Sequence, residues 1–101
     1  MRNNRWYDAY PNFAYHLEKC KYLIESDLEK VMDQIKSIIM DYNADLLEKH
    51  VKDFPLDSKK RRWYDKNPYS WMVVNSIKFV DEVTIENITE FIDEHVRVVL
   101  K

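Results

Sequence analysis

The residues best suited to chemistry form one short run of cations beside two aromatic rings. The run consists of Lys59, Lys60, Arg61, Arg62, Trp63 and Tyr64. Because cations contact phosphates and aromatic rings stack on bases, the segment 59–64 predicts a nucleic-acid interface with a steep salt dependence. Against this prediction, the helix expected after the run has no basic residue before Lys78. Pairing with the acidic last helix, or simple solvation, is the alternative use of these cations.

A second candidate is a metal site built on His16 and Cys20. Two ligands four residues apart on one helix face can supply half of a zinc site. His50 and His95 offer no second pair at a matching spacing. Because cysteine is also a common small apolar core residue, we expect His16 and Cys20 at the core or its edge and predict no metal site.

The chain contains no glycine. Phosphate-binding loops, dinucleotide fingerprints and nucleophile elbows all require glycine, so these classes of site are excluded. The histidines and carboxylates show no spacing that a catalytic set would need. We therefore predict a protein that is not an enzyme and binds no cofactor. Tight β-hairpins also depend on glycine, which favours an all-α fold.

One phrase, R-W-Y-D-x-x-P, occurs twice at an offset of 57 positions. Its residues are Arg5, Trp6, Tyr7, Asp8 and Pro11 in the first copy, and Arg62, Trp63, Tyr64, Asp65 and Pro68 in the second. Trp, Tyr and Arg dominate interaction hot spots, which suggests binding. A packing device needed at the start of each helical hairpin would also recur, and the repetition favours this structural role. We predict that Trp6 and Trp63 occupy equivalent, largely buried positions.

The segment Arg61-Arg62-Trp63-Tyr64-Asp65-Lys66-Asn67-Pro68, which leads into a helix, resembles small bacterial helical proteins of unknown function that carry R-R-W-Y-D-K-[DN]-P. The resemblance covers this segment and the helical pattern after it. It implies an all-helical fold in a bacterial protein and brings no activity or site residue with it.

Apolar periodicity predicts two helices in the first half, after an extended segment 1–10. The first begins at Pro11, ends near Glu25, and uses one apolar face: Phe13, Leu17, Cys20 and Ile24. The second follows a capping box at Ser26–Glu29 and continues to about Asp53, although Asn43 is an alternative end.

Two further helices are predicted in the second half. The third covers roughly 68–80 with Asn67 as its N-cap, and the fourth begins after a capping Thr84 and runs to the C-terminus. At an offset of 57, Glu25 meets Glu82 and Ile35 meets Ile92. The prediction is therefore a single four-helix domain, 1–101, made of two similar hairpins at about 5–54 and 62–101.

Composition limits the class of protein further. The net charge is −2, and the longest apolar run has four residues, so we expect a soluble, cytoplasmic protein. Five aromatic residues exceed what one small core accommodates: Tyr10, Tyr15, Tyr22, Trp71 and Phe79. Because large apolar patches usually mark contacts, the leading hypothesis is a self-associating or other protein-interaction module, with a homodimer as the expected assembly. Nucleic-acid binding through 59–64 is the alternative.

Overall fold

The computed structural model describes the backbone of residues 6–50 and 63–99, and all regular structure in these two stretches is helical. The α-helices are α1 (Pro11–Lys19), α2 (Glu25–Tyr42), α3 (Leu46–His50), α4 (Pro68–Ser76) and α5 (Glu82–Val99). Short 3-10 helices cover Trp6–Ala9, Cys20–Tyr22, Trp63–Lys66 and Ile77–Phe79. The predicted all-α class is confirmed. The predicted extended segment is wrong at Trp6–Ala9, while residues 1–5 lie outside the described residues.

The described stretches contain five α-helices rather than four because Asn43 ends α2. Its backbone N–H still donates to the Ile39 carbonyl at 2.9 Å, but its own conformation is extended. Its side-chain oxygen then accepts the Asp45 N–H at 3.0 Å and closes a turn. The expected continuation of this helix to Asp53 is therefore wrong, and the short α3 begins at Leu46.

The helices α1 and α4 both begin at a proline, where the missing N–H group has no helical partner to lose. Asn67 caps α4 as predicted, because its side-chain oxygen accepts the N–H groups of Tyr69 at 2.9 Å and Ser70 at 3.3 Å. The helix α1 ends at Lys19, earlier than the predicted Glu25, and the 3-10 helix Cys20–Tyr22 follows it.

The two long helices begin differently from each other and from the prediction. The helix α2 begins at Glu25, so Ser26 lies inside it and the predicted capping box is wrong. Ile24 occupies the N-cap position and has no capping side-chain hydrogen bond. The helix α5 begins at Glu82, and Asp81 rather than Thr84 is the cap, since its side-chain oxygen accepts the Thr84 N–H at 2.9 Å.

The core lies where α2 packs against α5, with α1 packed on α5 and α4 packed on α2. β-Branched and other aliphatic side chains recur every three or four residues along both long helices, which places them on one face. The fully buried members are Val31, Met32, Ile35 and Ile39 from α2, and Ile88 and Ile92 from α5. Burial of this layer supplies the main driving force for the fold.

The described elements of the second half have the same bounds as those of the first half shifted by 57 residues. Trp6–Ala9 and Trp63–Lys66, α1 and α4, Cys20–Tyr22 and Ile77–Phe79, and α2 and α5 all correspond in this way. Burial follows the same shift: Leu23 and Val80 are both 8% exposed, and Ile35 and Ile92 are both 0% exposed. Residues 5, 51–54, 62, 100 and 101, which the predicted hairpins also include, lie outside the described residues.

Candidate functional site

The two R-W-Y-D phrases meet in the interior of the domain. Tyr7 and Tyr64 are each 1% exposed, and their hydroxyl oxygens lie 3.5 Å apart. The Tyr7 hydroxyl also donates to a Glu18 carboxylate oxygen at 3.4 Å. In each phrase the tryptophan ring stands edge-on to the tyrosine ring, at 5.3 Å and 90° for Trp6 and at 5.2 Å and 89° for Trp63. The phrases thus have matching geometry about a shared tyrosine contact.

Both tryptophans are intermediate in exposure and pack against the core, which agrees with the predicted largely buried positions. Their indole Nε1 atoms are buried and find no hydrogen-bond acceptor among the described residues. The Trp6 ring also packs on Phe13, with the ring centroids 5.6 Å apart. Because most of each ring lies against core side chains, the accessible part of each tryptophan is small.

The predicted nucleic-acid interface is described only in part. Lys59, Lys60, Arg61 and Arg62 lie outside the described residues, as does Arg5 of the first phrase. Tyr64 is buried, so its ring has no surface on which a base could stack. Asp8, Pro11 and Pro68 are exposed, and for Asp65 the structure describes the backbone alone.

His16 and Cys20, for which the sequence predicts a place at the core or its edge, do lie there: His16 is at the contact between α1 and α5, and Cys20 is in the core. Cys20 is completely buried, and this burial, with a smaller effect of Glu18, raises the pKa of its thiol to about 12. The His16 Nδ1 atom is buried and lies 3.8 Å from an Asp93 carboxylate oxygen, without a hydrogen bond in the described structure. The described residues contain no group of three potential ligands that could hold a metal ion.

Asp93 connects this contact to a small charged cluster. An Arg97 guanidinium nitrogen donates to the Asp93 carboxylate at 2.5 Å. This hydrogen bond, together with the charges of Arg97, His16 and Lys19, holds the pKa of Asp93 below its usual value. Lys19 of α1 therefore acts electrostatically on Asp93 of α5.

The expected surplus of aromatic residues is confirmed for two of the five. Tyr15 is 60% exposed and Tyr22 is 66% exposed. Tyr10 and Phe79 instead pack against the core as partly buried side chains, and Trp71 is partly buried as well. The exposed aromatics thus belong to the first half of the chain.

These two tyrosines form part of a cationic apolar surface, which we call the aromatic–lysine surface and define as Tyr15, Lys19, Lys21, Tyr22 and Ile24. The Lys19 ammonium lies 4.3 Å from the centre of the Tyr15 ring. The Lys21 ammonium lies 5.2 Å from the centre of the Tyr22 ring. Ile24 is 67% exposed beside them along the chain. This surface offers three apolar side chains and two positive charges to a partner.

Sequence reasoning missed Ile24 because periodicity placed it on the buried face of the first helix. The early end of α1 and the 3-10 helix after it change the phase, so Leu23 is buried instead. One signal in the sequence indicated this result: at the offset of 57, Ile24 aligns with the polar Asp81.

No family model matches the sequence, and searches of curated proteins and of solved structures find no significant match. Within residues 6–50 and 63–99, no helix has the length and apolar character needed to cross a membrane.

Proposed function

We propose that this protein is a non-enzymatic, self-associating helical module, and that the aromatic–lysine surface is its binding surface. The observation that carries the proposal is the residue at the start of α2. Ile24 occupies an N-cap position, where isoleucine is among the least favourable residues, and it is 67% exposed. At the equivalent start of α5, Asp81 makes a capping hydrogen bond.

Ile24 is therefore unfavourable for the isolated fold in two respects. It leaves the first N–H groups of α2 without a capping side chain, and it exposes apolar area to water. Local rules of stability are most often violated where a protein performs its function. A partner that covers Ile24 would remove its apolar side chain from water. This supports a binding role for Ile24.

The neighbours of Ile24 suit an interface. Tyrosine supplies a large contact area with few rotatable bonds, and the lysine stems extend the apolar area while their charges stay in water. The other chemically reactive group on this helical segment, Cys20, is buried with a raised thiol pKa, which makes it a poor nucleophile or metal ligand. Binding therefore explains this segment better than catalysis. A buried, unpaired cysteine also suits the cytoplasm, which we propose as the location.

We further infer that the domain consists of two copies of one helical hairpin. The matching element bounds at an offset of 57 and the shared tyrosine contact support this inference. The helix pairs also correspond, because α1 packs on α5 as α4 packs on α2. Exchange of the halves by a twofold rotation would reproduce these contacts. Within the aromatic–lysine surface the copies differ most at Tyr15, Lys19 and Ile24, where the second half has Met72, Ser76 and Asp81.

Light scattering over a concentration series tests the proposed function. We expect the wild-type mass to rise from one chain towards two, and the double variant Tyr22→Ser, Ile24→Asp to remain a monomer. The matched control is Met40→Ser, Tyr42→Ser, since these side chains are also exposed, at 42% and 46%, but lie at the other end of α2. A strictly monomeric wild type at high concentration would contradict the proposal.

Nucleic-acid binding is a second candidate, favoured by the four consecutive cations at 59–62. Phosphate contacts from such a run would give retention on DNA or RNA that falls steeply with salt. Replacing Lys59, Lys60, Arg61 and Arg62 with Ser should then abolish retention at low salt. Retention that is absent in the wild type, or unchanged in the variant, would rule this candidate out.

A further inference from the structure

The outer side of α5 carries a row of glutamates at four-residue spacing. The row consists of Glu82, Glu86, Glu90 and Glu94, all of which are exposed. The sequence contains no Lys or Arg from 81 to 96, and within the part of the chain that the structure describes none of the four makes an ion pair. Arg97, the first cation after the row, is bonded to Asp93. The charges of the row are therefore exposed to solvent and not paired with cations among the described residues.

The row neighbours Asp93, which faces the helix that carries Tyr15 and Lys19 of the aromatic–lysine surface. Asp93 faces α1, where His16 and Lys19 act on it. At 100° per residue, Glu90 and Glu86 lie roughly 60° and 20° around the helix axis from Asp93. The two glutamates thus lie on the same side of the α5 axis as Asp93. The packed helices α1 and α5 therefore carry charges of both signs, and α1 also carries the exposed ring of Tyr15.

A face that combines a cationic and an acidic region side by side is self-complementary under a twofold rotation. We propose that the occupant of the aromatic–lysine surface is a second copy of this chain, in which Lys19 and Lys21 of each copy meet Glu86 and Glu90 of the other. This inference rests on the proposed function. The apolar side chains Tyr22 and Ile24 then provide the buried contact, and the charges set orientation and specificity. Each pairing occurs twice in the dimer.

Charge reversal tests the pairing. The variant Lys19→Glu, Lys21→Glu and the variant Glu86→Lys, Glu90→Lys each place like charges opposite one another, and we expect each to weaken self-association roughly tenfold or more. Mixing the two variants in equal amounts restores both sets of opposite charges. We therefore expect the mixture to form mixed dimers with an affinity near that of the wild type. High salt should weaken the wild-type dimer as well.

The control variant is Asp41→Lys, Glu48→Lys, which makes the same charge change on exposed residues. Asp41 lies 17 residues along α2 from Ile24, a separation of about 25 Å. We expect this variant to associate like the wild type and not to rescue Lys19→Glu, Lys21→Glu. Sedimentation velocity of each sample, with circular dichroism to verify folding, gives the masses.

The outcomes separate this inference from the proposed function. A monomeric wild type would remove both. A wild-type dimer that is sensitive to Tyr22→Ser, Ile24→Asp but indifferent to the α5 reversal would overturn the pairing with α5 and leave self-association standing. Failure of the mixture to recover, with both variants folded, would also overturn the pairing.

Discussion

The two helix contacts that join the halves of this chain occupy equivalent places and use different chemistry. Between α4 and α2, the Tyr69 hydroxyl donates to an Asp33 oxygen at 2.5 Å, and the Lys36 ammonium lies 5.7 Å from the centre of the Tyr69 ring. Between α1 and α5, the buried His16 Nδ1 faces Asp93 at 3.8 Å without a hydrogen bond. The contact between α4 and α2 contains a hydrogen bond, whereas the contact between α1 and α5 contains a buried nitrogen without a hydrogen-bond partner.

A second contrast is between the interior positions and the surface positions of the two halves. Ile35 and Ile92 are equally buried at equivalent positions, and the two Trp–Tyr pairs have the same ring geometry. The exposed positions differ: Ile24 and Asp81 are equivalent in position but opposite in polarity. At these positions the two halves agree in the interior and differ at the surface.

The largest effect concerns the shared interior. We expect Trp6→Ala and Trp63→Ala each to lower the free energy of unfolding by about 3 to 5 kcal/mol, because each removes a ring packed against the core. Denaturant unfolding followed by circular dichroism measures both. Tyr15→Ala, an exposed aromatic, is the control and should change stability by about 0.5 kcal/mol or less. A Trp63→Ala protein that unfolds like the wild type would favour a binding role for the phrase.

The next effect concerns the two long helices. Ile24→Asp introduces in α2 the cap that α5 already has, so we expect the free energy of unfolding to rise by about 1 kcal/mol. The same change removes apolar contact area, so self-association should weaken. Thermal melting and light scattering on one sample measure both. If stability rises while self-association weakens, Ile24 sacrifices helix capping for contact with a partner. A destabilised variant would contradict the capping argument.

The inter-half contacts should respond in opposite directions. Tyr69→Phe removes the hydrogen bond to Asp33 and should lower the free energy of unfolding by about 1 kcal/mol. His16→Val introduces the residue type found at the equivalent position, Val73, and removes a buried nitrogen without a partner. We expect this variant to be as stable as the wild type or more stable by up to about 1 kcal/mol. A clear loss at His16 would show that its pairing with Asp93 stabilises the fold.

The smallest effect is a pH dependence at the cap of α5. Hydrogen bonds from Thr84 hold the pKa of Asp81 below the usual value for an aspartate. A carboxyl group with a lowered folded-state pKa stabilises the protein above its unfolded pKa, and this contribution is lost as pH falls through the folded pKa. Melting temperatures between about pH 5 and about pH 2 should therefore fall less steeply for Asp81→Asn than for the wild type. Parallel slopes would contradict this role of Asp81.

Local signals in the sequence predict the fold class, much of the core and the start of α4. The spacing of apolar residues predicts the helices and the core, and Asn67 with Pro68 predicts where α4 begins. The interruption at Asn43 and the exposure of Ile24 were missed for a common reason. Both depend on where a helix ends, and that is decided by competition between side-chain and backbone hydrogen bonds that periodicity does not report. The charged cluster around Asp93 was also missed. Lys19 and Asp93 are far apart in the sequence and come together only through the packing of α1 on α5.

The aromatic–lysine surface is tested most directly by hydroxyl-radical footprinting over a concentration series. Tyr15, Tyr22 and Tyr42 are all exposed in the single chain, at 60%, 66% and 46%, so each reports on its own surroundings. We predict that Tyr15 and Tyr22 lose reactivity as concentration rises, while Tyr42 at the far end of α2 keeps it. Unchanged reactivity of Tyr22 in a sample that light scattering shows to be associated would contradict the assignment of this surface.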